Sequence, residues 1–186
     1  MGKVLVTGTG SQWNQDGALR VGFNSPGTLT ISRGGAVNDA AGSIGYQAGS
    51  TGAVEVSGGS VWNNTNSLDV GVGGPGTLTV GSGSLVTAGS YTQNLNGKLN
   101  INLARKVIQG QINITGTGSA SLNGTLNIVL QPGFVPALGS TFQILTAGSI
   151  TSTFSTVNGT SINSSEHFVV QYNSNNVTLR VVAGTS

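Results

Sequence analysis

Apolar and polar residues alternate in short segments that recur along the first half of the chain. Residues 27–31 (GTLTI) return as residues 52–56 (GAVEV) and as residues 76–80 (GTLTV), at steps of 25 and 24 residues. Alternation with a period of two is typical of half-buried β-strands. The pattern predicts an inward side chain at the third position and an outward one at the second: Leu29, Val54 and Leu78 inside, Thr28, Ala53 and Thr77 outside.

A longer repeat contains two of these units. Trp13-Asn14 recurs as Trp62-Asn63, 49 residues later, and residues 26–30 (PGTLT) recur as residues 75–79. A unit of about 24 residues suits one coil of a parallel β-helix, whose coils stack at about 4.8 Å. A β-propeller also repeats at about 40–50 residues, but its four-stranded blade gives no reason for the halving. We therefore predict an all-β fold, a right-handed parallel β-helix (β-solenoid).

The repeat fades at about residue 90, although strand-like segments continue. Four of the five Phe residues lie at positions 134, 142, 154 and 168. A solenoid needs an atypical terminal segment that covers its last coil. We predict repeat coils over residues 1–90, irregular continuation coils over 91–133 and an aromatic-richer C-terminal capping region over 134–186, with almost no helix.

The composition favours a secreted or surface-displayed protein. Only 6% of the residues are charged and 31 are Gly, so solubility depends on Ser, Thr, Asn and Gln. The chain has no Cys, which excludes disulfides and thiolate chemistry. Met1 leads directly into a strand pattern without a signal peptide, so we expect a piece of a longer protein. We expect it to lie outside the cell or on a bacterial cell surface.

The charged residues give no sign of nucleic-acid or membrane binding. The net charge is +2, and among the scattered basic residues only Arg105 and Lys106 are adjacent. A nucleic-acid site requires a basic stripe or patch. No apolar run reaches the roughly 18–20 residues that span a bilayer. We expect neither nucleic-acid partners nor membrane insertion.

No motif in the chain predicts an enzyme. Glycan cleavage needs carboxylates about 5–10 Å apart, and Asp16, Glu55 and Asp69 give no sign of converging. The Glu166-His167 pair lacks a nucleophile motif beside it. Residues 3–10 (KVLVTGTG) resemble a nucleotide-binding turn, but Trp13 stands where the fingerprint needs a third glycine. We expect no catalytic residues, no cofactor and no metal site.

Aromatic residues are the candidate ligand contacts. Trp13, Trp62, Tyr46 and Tyr91 fall near predicted coil corners, where they either stack as structural aromatics or contact a ligand such as a sugar. The repeat relates the two Trp residues, which favours the structural interpretation. Thr28 and Thr30 recur as a pair at 77 and 79, as in ice-binding ladders, but the coil between them carries Ala53 and Glu55.

The repeat region resembles the passenger repeats of bacterial autotransporter-like surface proteins. The resemblance rests on residues 10–14 (GSQWN), 19–22 (LRVG), 27–31 and 34–37 (GGAV) with their second copies, and on C-terminal segments such as residues 177–181 (VTLRV). It implies a right-handed parallel β-helix on a cell surface, in adhesion or as a stalk, and it supplies no catalytic residues.

These observations predict a non-catalytic structural or adhesive segment that acts as a stiff stalk or display scaffold. Two other functions stay open: a subunit of an extracellular filament joined end to end by strand pairing, and a carbohydrate-binding or glycan-cleaving module. The expected partners are other copies of the chain, or a surface glycan or ligand on a host or neighbouring cell.

Overall fold

The chain folds as a parallel β-solenoid of about five turns, with about 25 residues in each turn. A computed structural model describes residues 1–104 and 110–184. Within these ranges the structure is all β and contains no helix. The predicted parallel solenoid is therefore confirmed, and its period agrees with the repeat of about 24 residues.

Short strands follow one another with tight turns between them. In chain order the described strands are β1 (Gly2–Thr7), β2 (Gln12–Asn14), β3 (Ala18–Val21), β4 (Gly27–Ser32), β5 (Ala36–Asp39), β6 (Ala41–Ile44), β7 (Gly52–Val56), β8 (Val61–Asn64), β9 (Ser67–Val70), β10 (Gly76–Val80), β11 (Leu85–Ala88), β12 (Ser90–Gln93), β13 (Gly97–Leu103), β14 (Gln111–Ile114), β15 (Ser119–Ser121), β16 (Thr125–Leu130), β17 (Thr141–Thr146), β18 (Ser149–Ile150), β19 (Thr156–Asn158), β20 (Glu166–Tyr172) and β21 (Asn176–Ala183).

Three sheets enclose the core, and successive strands of the chain belong to successive sheets. Sheet A has the order β1-β4-β7-β10-β13-β16-β19, and sheet B has the order β2-β5-β8-β11-β14-β17-β21-β20. Sheet C runs from β3 through β6, β9, β12 and β15 to β18. Each coil thus places one strand in each sheet, and every coil hydrogen-bonds to the coils above and below.

The inward and outward positions match those predicted from the alternation. Leu29, Val54 and Leu78 lie in register across sheet A and are buried. Strands of a parallel solenoid place equivalent residues directly over one another, so equivalent apolar side chains stack into one continuous core.

The 49-residue repeat reflects the packing of Trp62 against the preceding coil. Trp13 and Trp62 lie within strands of sheet B rather than at corners, and Val37 separates them in the register. The fully buried Trp62 ring extends towards Gly42 on sheet C, where an added Cβ would lie 2.7 Å from Trp62 Cζ2. A large residue in one coil therefore requires a small residue in its neighbour.

Polar ladders run along the outer faces of two sheets. On sheet B, Asn63 Nδ2 donates to Asn38 Oδ1 at 2.7 Å, and Asn38 Nδ2 donates to Asn14 Oδ1 at 2.6 Å. On sheet A, Asn158 donates to Asn127 at 2.9 Å and Asn127 donates to Asn100 at 2.8 Å. Each amide donates towards the N-terminal end of the solenoid, so the bonds share one direction.

The parallel stacking ends with an antiparallel hairpin. Strand β17 pairs parallel with β14 on one side and antiparallel with β21 on the other, and β20 then pairs antiparallel with β21. Phe142 and Phe168 are buried where the hairpin packs, with ring centroids 6.1 Å apart. The aromatic residues of the predicted capping region thus lie where the stacking direction changes.

Candidate functional site

An exposed aromatic cluster lies on the outer surface at the corner between sheets C and A. The Arg20 guanidinium lies 4.8 Å from the ring centroid of Tyr46 and 5.6 Å from that of Phe23. The two rings are themselves 5.4 Å apart, at an interplanar angle of 31°. We call Arg20, Phe23 and Tyr46 the corner cluster. Its cation–π contacts hold a positive charge beside an aromatic surface.

The corner cluster exists because three residues from adjacent coils meet there. Arg20 points outward from β3, and Phe23 and Tyr46 follow β3 and β6 at equivalent positions. The same corner carries Val72 and Leu95, which are 42% and 71% exposed. Contiguous exposed apolar residues mark interaction sites more often than scattered ones do. Sequence reasoning found Tyr46 but missed Arg20 and Phe23, although residues 21–23 (VGF) and 44–46 (IGY) place an aromatic residue at the same position of two successive repeats.

The other predicted aromatic candidates occupy different environments. Trp62 and Tyr91 are 0% and 1% exposed, so their rings contact core residues rather than solvent. Trp13 is half-buried at the N-terminal end of the core, and Tyr46 is half-buried in the corner cluster. The structure therefore brings one of the four candidates, Tyr46, onto the outer surface of the coils.

A buried polar group accompanies Trp62. Its indole Nε1 donates to Asp39 Oδ2 at 2.6 Å, while Asp39 Oδ1 is buried without a hydrogen-bond partner. Burial raises the pKa of Asp39 from 3.8 to about 6, and the hydrogen bond from Trp62 opposes that rise. Asn64 lies in register with Asp39 and also buries an unpartnered Oδ1. These two coils therefore bury a polar pair with one unpartnered oxygen on each residue.

A second buried polar group lies at the next corner. Tyr91 donates to Gln93 Oε1 at 2.8 Å, and Gln93 Nε2 donates to the carbonyl oxygens of Asn123 and Thr125 at 2.7 and 3.0 Å. Burial raises the pKa of the Tyr91 phenol. This network joins one coil to the next from within.

Glu55, Asp69 and Glu166 lie on separate surfaces, whereas Asp16 and Asp39 share one cavity. Glu55 faces outward from sheet A, and Asp69 faces outward from sheet C, where it accepts a hydrogen bond from Ser67 at 3.2 Å. Asp16 and Asp39 border a cavity of about 490 Å³ at the corner between sheets B and C. Glu166 accepts from Asn163 at 2.8 Å, and His167 lies beside it in β20.

Residues 1–104 and 110–184 are those whose surroundings the structure describes. Within them, no group of three or more His, Cys, Asp or Glu side chains is arranged to hold a metal ion. The same ranges contain no helix that is long and apolar enough to cross a bilayer. The adjacent basic residues Arg105 and Lys106 lie outside the described residues.

The N-terminal end of the core forms the other notable cavity. It measures about 300 Å³ and is lined by apolar residues of the first two coils and by the loop that carries Phe23. Its apolar lining consists mainly of Val4, Trp13, Leu19, Val21, Phe23 and Leu29. The cavity lies at the N-terminal end of the solenoid interior, beside β1 and β3.

The fold defines the chain as a parallel β-solenoid repeat protein. Neither a protein family nor a curated protein sequence matches it.

Proposed function

We propose that the chain is a non-catalytic structural segment of a secreted or bacterial cell-surface protein, similar in role to an autotransporter-like passenger. It serves as a stiff scaffold that holds attached parts at a fixed distance and orientation. The observation that carries this proposal is the single core, which runs without a break from Val6 in the first coil to Val181 in the terminal hairpin.

Three features support stiffness along the axis. The seven strands of sheet A, at about 4.8 Å spacing, extend about 29 Å. Backbone ladders, the external Asn ladders and the internal Tyr91–Gln93 network all join one coil to the next. Because each coil can bury its apolar face only against its neighbours, opening one coil exposes the core of two others.

Native-state hydrogen exchange tests the scaffold. Amides in β4, β7, β10 and β13 should exchange with one common opening free energy, equal to that of global unfolding. Central coils whose opening free energy lies far below the free energy of global unfolding would contradict a stiff scaffold.

Turnover of a polysaccharide by the purified chain, abolished by Asp16→Asn or Glu55→Gln, would overturn the non-catalytic assignment.

The corner cluster favours a second candidate function, contact with a glycan. An exposed aromatic ring can stack on the apolar face of a sugar, and a guanidinium beside it can bind hydroxyl or carboxylate oxygens. Phe23 is 40% exposed, and Arg20 is already held against it.

A glycan array tests this candidate function. Binding should be lost in Phe23→Ala and in Tyr46→Ala, and retained in Val72→Ala, which removes an equally exposed apolar side chain from the same corner one coil further along. An array without hits, or hits that survive both aromatic substitutions, would exclude the corner cluster as a sugar site.

A further inference from the structure

Two buried oxygen atoms in neighbouring coils lack a hydrogen-bond donor. Asp39 ends β5 and Asn64 ends β8, at matching positions of the second and third coils. Both side chains are 3% exposed, and in each of them Oδ1 is buried without a partner. A buried acceptor without a donor costs free energy, so folded proteins contain few of them. Two such acceptors in register therefore call for a common donor.

The contacts of Asn64 determine which end of its amide faces the second coil. Its Nδ2 donates to the carbonyl oxygen of Thr87, in the fourth coil, at 3.2 Å. Its Oδ1 lies against the second coil, because an added Cβ on Gly42 would collide with that oxygen. The reverse orientation would bring Oδ1 against the Thr87 carbonyl oxygen, so that two acceptors would meet. The amide oxygen of Asn64 is therefore directed towards the coil that carries Asp39.

The carboxyl group of Asp39 has one oxygen with a partner and one without. Its Oδ2 accepts from Trp62 Nε1 at 2.6 Å, and Trp62 lies two residues before Asn64 in β8. An ionised carboxylate only accepts hydrogen bonds, whereas a protonated carboxyl group also carries an O–H donor. A proton on Asp39 Oδ1 thus supplies the donor that the two oxygens lack.

We infer that a proton joins the second and third coils from within: neutral Asp39 donates a hydrogen bond from Oδ1 to Asn64 Oδ1. The hydrogen bonds then run from the Trp62 indole through the two side chains to the carbonyl oxygen of Thr87, and so connect β5, β8 and β11. Ionisation of Asp39 removes the donor and leaves two acceptors opposed.

The surroundings of Asp39 favour its neutral form. Burial raises the pKa of Asp39 to about 6. Uncharged residues surround it on the neighbouring elements: Gln15 after β2, Gly42 of β6, and Trp62 and Asn64 of β8. Among the described residues that border the same corner cavity, the other titratable group is the exposed Asp16. Its like charge acts in the same direction as burial, because it disfavours a second carboxylate nearby.

The Asp39–Asn64 hydrogen bond should make the solenoid more stable in acid than at neutral pH. A group whose pKa is raised by folding contributes fully below its unfolded value, 3.8, and loses that contribution as the pH rises through about 6. Acid unfolds many proteins by protonating paired carboxylates and by adding positive charge. This chain has only five Asp and Glu residues among 186, so acid adds little charge to it. The scaffold should therefore tolerate acidic surroundings.

Nitrogen-15 NMR of the two Trp indoles tests the proton on Asp39 in the unmodified chain. The Trp62 Nε1–H signal should titrate with a midpoint at about 6, because its acceptor changes from a neutral to an ionised carboxyl group. The indole of Trp13, which has no acidic hydrogen-bond partner among the described residues, is the internal control. A Trp62 signal that titrates near 3.8, or that does not titrate, would overturn the inference.

Asn64→Leu separates the Asp39–Asn64 hydrogen bond from burial alone, since Leu removes the acceptor and keeps the site filled. The midpoint at Trp62 should fall by about one pH unit, because the neutral form of Asp39 loses a hydrogen bond. If the Asn64 amide instead donated to ionised Asp39, the same substitution would raise the midpoint. A raised or unchanged midpoint would refute the inference.

Ser84→Ala is the matched control. It removes a buried hydroxyl group without a hydrogen-bond partner from the fourth coil, away from Asp39, and should leave the midpoint at Trp62 unchanged. Equal shifts in Ser84→Ala and Asn64→Leu would contradict the inference, because general loosening of the core would then explain both. The titration of the unmodified chain needs no substitution, so it decides the question even where a variant fails to fold.

Discussion

At the scale of single residues, the carboxyl group of Asp39 has the clearest consequence for behaviour in solution. It is 3% exposed, its Oδ2 accepts from the Trp62 indole, and its Oδ1 has no partner. A carboxyl group whose pKa is raised by burial binds its proton more tightly in the folded state than in the unfolded state. Its protonated form therefore stabilises the fold, and its ionised form costs free energy.

The pH dependence of stability should follow from this group. Its contribution should be fully present below pH 3.8 and lost as the pH rises through about 6. The loss should be at most about 3 kcal/mol in the free energy of unfolding. Asp39→Asn removes the charge and keeps an acceptor for Trp62, so urea unfolding should show a more stable variant at pH 8 and a flatter pH profile. Asp16→Asn, at an exposed position, is the control, and a wild-type profile in Asp39→Asn would refute the explanation.

Gly42 is the second residue whose role depends on a neighbouring coil. An added methyl group would collide with the Trp62 ring and with Asn64. Gly42→Ala should therefore destabilise the fold by about 1–3 kcal/mol in urea unfolding. Gly17→Ala should change stability by less than about 0.5 kcal/mol, because nothing lies within 4 Å of an added Cβ there. Equal effects of the two substitutions on stability would mean that the change in backbone entropy, rather than the packing of the added methyl group, determines the stability.

At the scale of elements, the outer face of sheet B shows how polar residues stabilise a solenoid with few charges. Asn63 both donates to Asn38 and accepts from Thr87, at 2.7 and 2.8 Å. Hydrogen bonds arranged in one direction polarise one another, so a central member of such a ladder contributes more than a terminal one. Asn and Gln ladders stabilise stacked strands in the same way.

Interrupting the Asn ladder should lower the free energy of unfolding more at its centre than at its end. Asn63→Ala removes two ladder bonds and should lower the free energy of unfolding by about 1 kcal/mol. Asn14→Ala removes the bond from Asn38 at an exposed end position and should cost less. Thermal unfolding of the two variants in parallel makes the comparison, and a larger effect at Asn14 would contradict a cooperative ladder.

The strands themselves could be predicted from the sequence, and much of the candidate site could not. Leu29, Val54 and Leu78 were placed in the core correctly, because alternation in a strand depends only on neighbours along the chain. Trp62 was placed at a corner, although it lies inside sheet B over Gly42. No local pattern shows which residue of the preceding coil an indole will contact.

At the scale of the whole molecule, the terminal hairpin of β20 and β21 ends the parallel stacking of sheet B after β17. Phe168 in β20 is 2% exposed and packs against Phe142, while Val169 beside it is 40% exposed. Removing the Phe168 ring creates a cavity beneath the hairpin and loosens the strands that cover the last coil.

Phe168→Ala should lower the free energy of unfolding by about 3–5 kcal/mol. It should also promote association into larger oligomers, because a loosened hairpin exposes strand edges to pairing with another chain. Light scattering during mild heating detects the oligomers, and Val169→Ala should behave as the wild type. Loss of stability without larger oligomers would show that the hairpin does not protect the C-terminal edge.

The sequence by itself determined the strands, their period and the direction in which most side chains point, because these follow from local alternation and from turn-forming residues. The tertiary structure alone decided which side chains meet between coils: Trp62 with Asp39, Arg20 with the Tyr46 ring, and Phe142 with Phe168 beneath the terminal hairpin. Those contacts depend on the register between segments about 24 residues apart, which is set only when successive coils bury one another's apolar faces.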